Sequence, residues 1–232
     1  MPKTAVVSGA DHGLGAELVK QLIERGYTVF AGRYDKSFDA SGENPVFLPL
    51  DLSDQASVDS FAEAVAKRTG GVDLLINNAG VLGDMQKTIR DRLDRDDIRR
   101  VLEVNAIGTL MLTNALFPLI EKGTDRLVVN ISSEAGSVSD CRRVGWFGYC
   151  MSKAANNMQG ALVHNILRQI GGRVIQMHPG HVRTYMRGHL DTTGRLTPEQ
   201  SAAGVLRTVL DTEIPCGDRP AYVDFEGKEL RF

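Results

Sequence analysis

Residues 127–158 read LVVNISSEAGSVSDCRRVGWFGYCMSKAANNM. The stretch opens on an apolar run, residues 127–131, of the length of a buried strand. It breaks at Ser132 and Ser133, crosses a polar loop and resumes as a helix expected to begin near Tyr149. Tyr149 and Lys153 stand four positions apart on that helix, a little over one turn, so the phenol and the ammonium share a face and the cation can stabilise a phenolate. Ser133, at the end of the preceding strand, can present a hydroxyl to the same point. Serine, tyrosine and lysine directed at one spot make a proton-transfer arrangement. Tyr-x-x-x-Lys also arises by accident, so its meaning depends on whether the rest of the chain supplies a cofactor.

Outward from this stretch, short apolar runs alternate with helical patterns. Strands are expected at 4–8, 27–31, 45–50, 72–76, 127–131, 173–177 and 220–225. Helices are expected out of the run SGADHGLG on Leu14, Leu18, Leu22 and Ile23, from Ser53 or Asp54 through Val58, Phe61 and Val65, over 93–121, from Tyr149, and from Pro198. Strand, helix, strand in repetition predicts parallel pairing with helices on both faces. The fold class expected is α/β, a single Rossmann domain over residues 1–232 with a doubly wound parallel sheet of about seven strands. In such sheets ligands bind beyond the carboxyl ends of the strands. The unusual motifs all fall there: residues 9–15, Arg33, Asp51, residues 77–80, Ser132 with Ser133, and residues 179–184.

The 232 residues carry a net charge of −2 and 42% apolar residues, which excludes a nucleic-acid partner held by bulk charge. The mixed run RDRLDRDDIRR, residues 90–100, reads as a solvated helix face. Cys141, Cys150 and Cys216 leave an odd thiol under any pairing and form no Cys-x-x-Cys, which suits a reducing compartment and argues against a metal site. With neither a signal peptide nor a long apolar span, a cytoplasmic protein without membrane attachment is expected.

Gly9, Gly13 and Gly15 lie between the first strand and the first helix, where glycine lets backbone N–H groups and a helix N-terminus approach a pyrophosphate. With SGADHGLG at 8–15, NNAG at 77–80, VNAIG at 104–108, ISS at 131–133, YCMSK at 149–153 and HPGHVRT at 178–184, in that order, the chain resembles the short-chain dehydrogenase/reductase family along essentially its whole length. More loosely, the short segment after Thr184 and the run DFEGKELRF at 224–232 resemble the family's C-factor-like branch. The resemblance implies that Gly9, Asp11, His12, Gly13, Leu14 and Gly15 form the cofactor turn. By the same resemblance Asp51 and Leu52 hold the adenine, Asn77, Asn78, Ala79 and Gly80 lie along its ribose, and Pro179, Gly180, Val182 and Thr184 fix the nicotinamide carboxamide. It further implies Tyr149 as general acid/base, Lys153 as its electrostatic helper and a ligand of the nicotinamide ribose, Ser133 as the donor orienting the substrate oxygen, and Asn105 as holder of a relay water. Ser132 is expected to bond backbone instead.

NADP(H) is expected over NAD(H). An acid at the end of the second strand would bind a ribose 2′-hydroxyl and repel a 2′-phosphate, whereas Arg neutralises that phosphate. Here Gly32 stands at the acid's place with Arg33 beside it, although Asp35 could pair with Arg33 and His12 replaces a second basic residue common in NADP-binding relatives. Trp146, Phe147 and Met186 are candidate substrate contacts, Arg142 or Arg143 could meet an anionic group, and residues 184–197 read as a lid. Trp146 and Phe147 could equally pack the loop or a subunit contact. Lowering a phenol from its ordinary pKa of about 10 by about two units needs roughly 2.7 kcal/mol of phenolate stabilisation. The function expected is NADP(H)-dependent interconversion of an alcohol and a carbonyl by a homodimer or homotetramer. A non-catalytic redox sensor or signalling protein of the same fold is the alternative.

Overall fold

A computed structural model describes residues 2–35, 43–186, 188–214 and 216–232. The chain runs β1 (Thr4–Ser8), α1 (Gly13–Glu24), β2 (Thr28–Arg33), β3 (Val46–Pro49), α2 (Gln55–Ala66), β4 (Leu74–Asn77) and α3 (Arg95–Leu102). A π-helical turn, Glu103–Gly108, leads into α4 (Thr109–Lys122). β5 (Leu127–Ile131), α5 (Phe147–Leu167), β6 (Arg173–His178), α6 (Pro198–Leu206) and β7 (Ala221–Asp224) complete it. The sheet has seven strands in the order β3-β2-β1-β4-β5-β6-β7, and every neighbouring pair is parallel. The winding reverses between β1 and β4, which opens a crevice where the glycine turn and the NNAG segment emerge side by side.

Both faces of the sheet are covered, so its inner strands read as unbroken apolar runs. Ala5, Val7, Ile76, Val129 and Ile175 pack against Leu18 and Leu22 of α1 and Ala202 and Val205 of α6. Val6, Phe30, Leu75, Val128 and Val174 face the other way, onto Phe61 of α2 and Leu112, Leu116 and Ile120 of α4. Each Val, Leu, Ile or Phe among them contributes about 1.5–3 kcal/mol by burial. The span Arg95–Lys122 is long and apolar enough to cross a membrane by length and composition, yet Leu112, Leu116 and Ile120 lie in this core.

A polar row crosses the second face. Asn77 pairs with Asn130, Asn130 with Gln176 and Gln176 with Tyr222 in successive strands, and all four are buried. Asn77 donates to Asn130 Oδ1 at 2.8 Å and to Thr113 Oγ1 at 3.0 Å. Gln176 donates upward to the Asn156 carbonyl of α5 at 3.3 Å. α5 can lie this close because it presents Gly160, where a Cβ would stand 1.6 Å from Gln176 Nε2.

Three elements differ from expectation. α5 begins at Phe147, two residues early, because Trp146 before it adopts a left-handed conformation with φ +63° that turns the chain into the helix. The span expected at 93–121 runs as one helix from Arg95 to Lys122, with a π turn around Asn105 that apolar spacing does not foretell. The run 90–100 is helical only from Arg95, and its Asp97 reaches inward to accept the Asp84 N–H at 2.8 Å.

Candidate active site

The turn after β1 needs its glycines for different reasons. Gly9 and Gly13 have φ of +65° and +60°, the left-handed region. A Cβ on Gly9 would also stand 2.7 Å from Ala79 Cα, and one on Gly15 2.0 Å from the Gly9 carbonyl oxygen. The turn is bolted to the NNAG segment. Asn78 Nδ2 donates to the Ser8 and Gly9 carbonyls at 3.1 and 3.0 Å, and Ser8 Oγ accepts the N–H groups of Asn78 and Ala79. Asn78 thus spends its carboxamide on bracing the turn. His12, at the N-cap of α1, makes no side-chain cap, so the first-turn N–H groups remain to meet an anion. Thr184, from the loop after β6, comes within 3.6 Å of a Cβ position on Gly13. Leu14 and Leu52 put their side chains in the hydrophobic cores, leaving only backbone to face a ligand. The Asp51 carboxylate accepts Ser53 N–H and Oγ–H at 2.9 and 2.6 Å.

At the end of β2, Arg33 lies 3.8 Å from Asp11 and over the Phe47 ring at 5.2 Å. Asp11 also accepts the N–H groups of Tyr34 and Asp35 at 3.2 and 2.7 Å. Sequence reasoning named Asp35 as a partner for Arg33 and did not name Asp11, which the glycine turn after β1 sets beside the end of β2. A Cβ at Gly32 would stand 2.5 Å from Leu50 Cδ2, so any side chain there would have to displace Leu50.

The catalytic candidates converge across β5 and α5. Tyr149 is buried, and its phenol is pushed up to about 12 by burial, the Ser133 side chain pulling the other way. Lys153 is buried too, pushed down to about 8, and donates to the Ile131 carbonyl at 2.7 Å. Its Nζ lies 5.6 Å from the Tyr149 ring centre. Desolvation of the phenolate dominates at Tyr149, and the Lys153 ammonium is held on strand backbone. Ser133 caps a 3-10 turn, its Oγ accepting the Ala135 N–H at 3.2 Å. Ser132 Oγ donates to Asn157 Oδ1 at 2.6 Å, a side-chain partner instead of the backbone one expected. Asn105, in the π turn, accepts the Val81 N–H and donates to its carbonyl, both at 2.8 Å, and donates to Ser152 Oγ at 3.0 Å. A Cβ position on Gly80 marks where the parts meet: 3.2 Å from Asn105 Oδ1, 3.7 Å from Lys153 Nζ and 3.7 Å from Met186 Cε. Extra residues in helices of this kind are frequent at functional sites.

A profile of the family described as short chain dehydrogenase matches residues 3–194. The chain belongs to the short-chain dehydrogenase/reductase family. It is 33% identical over 210 residues to the 1-hydroxy-2-glutathionyl-2-methyl-3-butene dehydrogenase of Rhodococcus sp. strain AD45, covering 89% of this chain and 90% of that protein. The C-signal protein of Myxococcus xanthus is 36% identical over 162 residues, 70% of this chain and 93% of its own. Among solved structures, the NADPH-bound carbonyl reductase from chicken fatty liver superposes with a TM-score of 0.87 at 30% identity, covering 100% of this chain and 99% of its own. This short-chain dehydrogenase/reductase is an oxidoreductase of that family.

Around the reductase-like centre the substrate-side candidates separate. Trp146 stands edge-on to Tyr149, ring centres 6.1 Å apart, with the Arg143 guanidinium over its ring at 5.1 Å. Phe147 instead borders a cavity of about 10 Å³ with Leu93, Asp97 and Ile98 near α3. Arg143 bonds Glu134 at 2.6 Å, and Arg142 bonds the Cys141 carbonyl. Within residues 184–197, where Arg187 lies outside the described residues, the base is tied down. Val182 bridges Leu196, Arg183 N–H donates to the Leu196 carbonyl at 2.9 Å, and Asp191 N–H to the Thr184 carbonyl at 3.0 Å. Pro179 accepts the Ser201 hydroxyl at 2.7 Å, and Gly180 takes a φ of +80° against Leu196. Sequence reasoning missed Ser152, Asn157 and Tyr222. Asn157 alone had a visible signal, standing one further turn along the Tyr149–Lys153 face.

Proposed function

We propose that the protein is an NADP(H)-dependent oxidoreductase that interconverts an alcohol and a carbonyl, acting as a ketone or aldehyde reductase. The observation that carries this is the buried Tyr149 phenol flanked by Ser133 and Lys153 at the mouth of the glycine-turn crevice. A nicotinamide dinucleotide fits the residues present. The uncapped α1 N-terminus and its glycines would take the pyrophosphate, and Gly80, lacking a Cβ, brings bare backbone close to Asn105 and Lys153. Bound there, it would supply or accept the hydride at carbon. A 2′-phosphate would find Arg33 beside Gly32, which carries no repelling acid, a reading supported by the NADPH held in the chicken reductase.

The chain's own residues handle the oxygen. Ser133 donates toward the substrate oxygen and stabilises negative charge developing there. Tyr149, kept protonated by burial, gives the phenolic proton to that oxygen in the reducing direction and recovers it in the other. Lys153 supports the phenolate left behind, and Asn105 stands beside it as a relay position. Trp146 and Met186 bound the place for the substrate, with residues 184–197 closing over it. The C-signal relative keeps a sensing or signalling role in view, but retention of both Tyr149 and Lys153 favours catalysis. Fluorescence titration with NADPH and NADH side by side, then a carbonyl panel, tests the reading. NADPH binding with turnover that Tyr149→Phe abolishes supports it; no binding of either nucleotide overturns it.

Exposed Met158, Leu162 and Ile166 follow one another along α5, with Ile107 exposed before α4, and support assembly into a homodimer or homotetramer through these helices. Light scattering of Leu162→Glu, expected to be monomeric, checks this. The free thiols Cys141, Cys150 and Cys216 support a cytoplasmic setting.

A further inference from the structure

The catalytic serine is held from behind by a residue of the last strand. Besides its hydroxyl contact with the Ala135 N–H, Ser133 is fixed through its carbonyl, which accepts the Gly136 N–H at 2.8 Å and also the Tyr222 phenol. Tyr222, the end of the polar row, is 2% exposed and lies against Phe232, ring centres 4.9 Å apart. Residues 230–232 are in turn fastened at both sides of that contact. The Leu230 N–H donates to the Tyr222 carbonyl at 2.7 Å, the Ser139 N–H to the Phe232 carbonyl at 3.1 Å, and Arg231 Nε to Asp140 at 3.1 Å. The loop that begins at Ser133 is therefore clamped through Tyr222 and again at Ser139 and Asp140.

We propose that Tyr222 is a positioning residue that aims the Ser133 hydroxyl by fixing the peptide plane that follows it. The inference rests on the catalytic reading given under Proposed function. Two donors on one carbonyl fix the rotation of the Ser133–Glu134 peptide, and that rotation sets where the hydroxyl points. Misplacement of a reacting group by about 1 Å can cost on the order of 10²-fold in rate. Without the phenol, only the short 3-10 turn orients the serine.

Tyr222→Phe removes the hydroxyl and keeps the ring against Phe232. The expected result is a fall in kcat of about tenfold or more, with KM and NADPH affinity within about twofold, and no further fall when the change is added to Ser133→Ala, since residues acting as one unit are not additive. An unchanged kcat, or an equal loss in the Ser133→Ala background, overturns the proposal. Should Tyr222→Phe not fold, Phe232→Leu loosens the same ring. It must lower kcat in the parent and not in Ser133→Ala, and an equal loss in both overturns the proposal. Parent enzyme that reduces no carbonyl defeats the catalytic reading and this inference with it. Turnover abolished by Ser133→Ala but intact in Tyr222→Phe defeats this inference alone.

Discussion

The Lys153 ammonium donates to the carbonyl oxygen of Ile131, the last residue of β5, so this buried cation is held on strand backbone. That single bond does not offset the burial of the charge, and the lysine's pKa falls from the ordinary 10.5 to about 8. An unfolded chain keeps this proton up to about 10.5, so the burial cost is full below pH 8 and is relieved as pH rises from 8 to 10.5. The shift corresponds to roughly 3 kcal/mol at most. Lys153→Met should therefore stabilise the nucleotide-free protein at pH 7 by about 1–2 kcal/mol after loss of the hydrogen bond. The gap should close between pH 8 and 10.5 in denaturant melts, while turnover is lost at every pH. A gap independent of pH would show that the buried charge is not its source.

Tyr149→Phe should reduce turnover by about 10²-fold or more and leave NADPH affinity within about threefold. Single-turnover kinetics beside the binding titration checks both. Residual activity near the parent's would remove Tyr149 from the acid/base role.

Arg33→Asp should weaken NADPH binding by about tenfold or more and shift preference toward NADH, because a carboxylate repels the 2′-phosphate that a guanidinium neutralises. Asp11→Asn should act in the opposite sense, strengthening NADPH binding by releasing Arg33 from an ion pair. Parallel titrations of both variants check the pair of signs, and unaltered preference in both would mean that the 2′-phosphate lies elsewhere.

Gly160→Ala should destabilise the protein by about 1–3 kcal/mol through overpacking, since the new methyl would collide with Gln176 Nε2 and approach Asn130 Nδ2 within 2.9 Å. Thermal melts should show a drop of several degrees, partly restored by Gln176→Ala in the same chain. A neutral Gly160→Ala would show that α5 can rise off the sheet at little cost.

The parts of the site read from sequence were those whose constraint is local. Glycines 9, 13 and 15 announce a turn by their own backbone needs, and Tyr149 and Lys153 share a face by helical period alone. What escaped depends on where side chains point once strands are side by side. Asn130 inside LVVNI is visible as a polar residue in an apolar run, but its partners Asn77 and Gln176 come from β4 and β6. Asp11 reaches Arg33 only because β1 and β2 are neighbours. The left-handed Trp146 starts α5 early and separates itself from Phe147, which no pattern of apolar spacing foretells.

The row Asn77, Asn130, Gln176 and Tyr222 also works as a ruler for assembly. Residues alternate faces along a strand, so a slip of one position in any of these pairings would send an amide or a phenol into the aliphatic layer beneath α1 and α6. A slip of two would set a polar group opposite Val128 or Val174 and leave its former neighbour unmatched. Aliphatic strands alone tolerate such errors, because one valine replaces another. Four polar marks at one level make each misalignment costly, and the alignment they enforce is the one that brings the ends of β4, β5 and β6 out at a common rim.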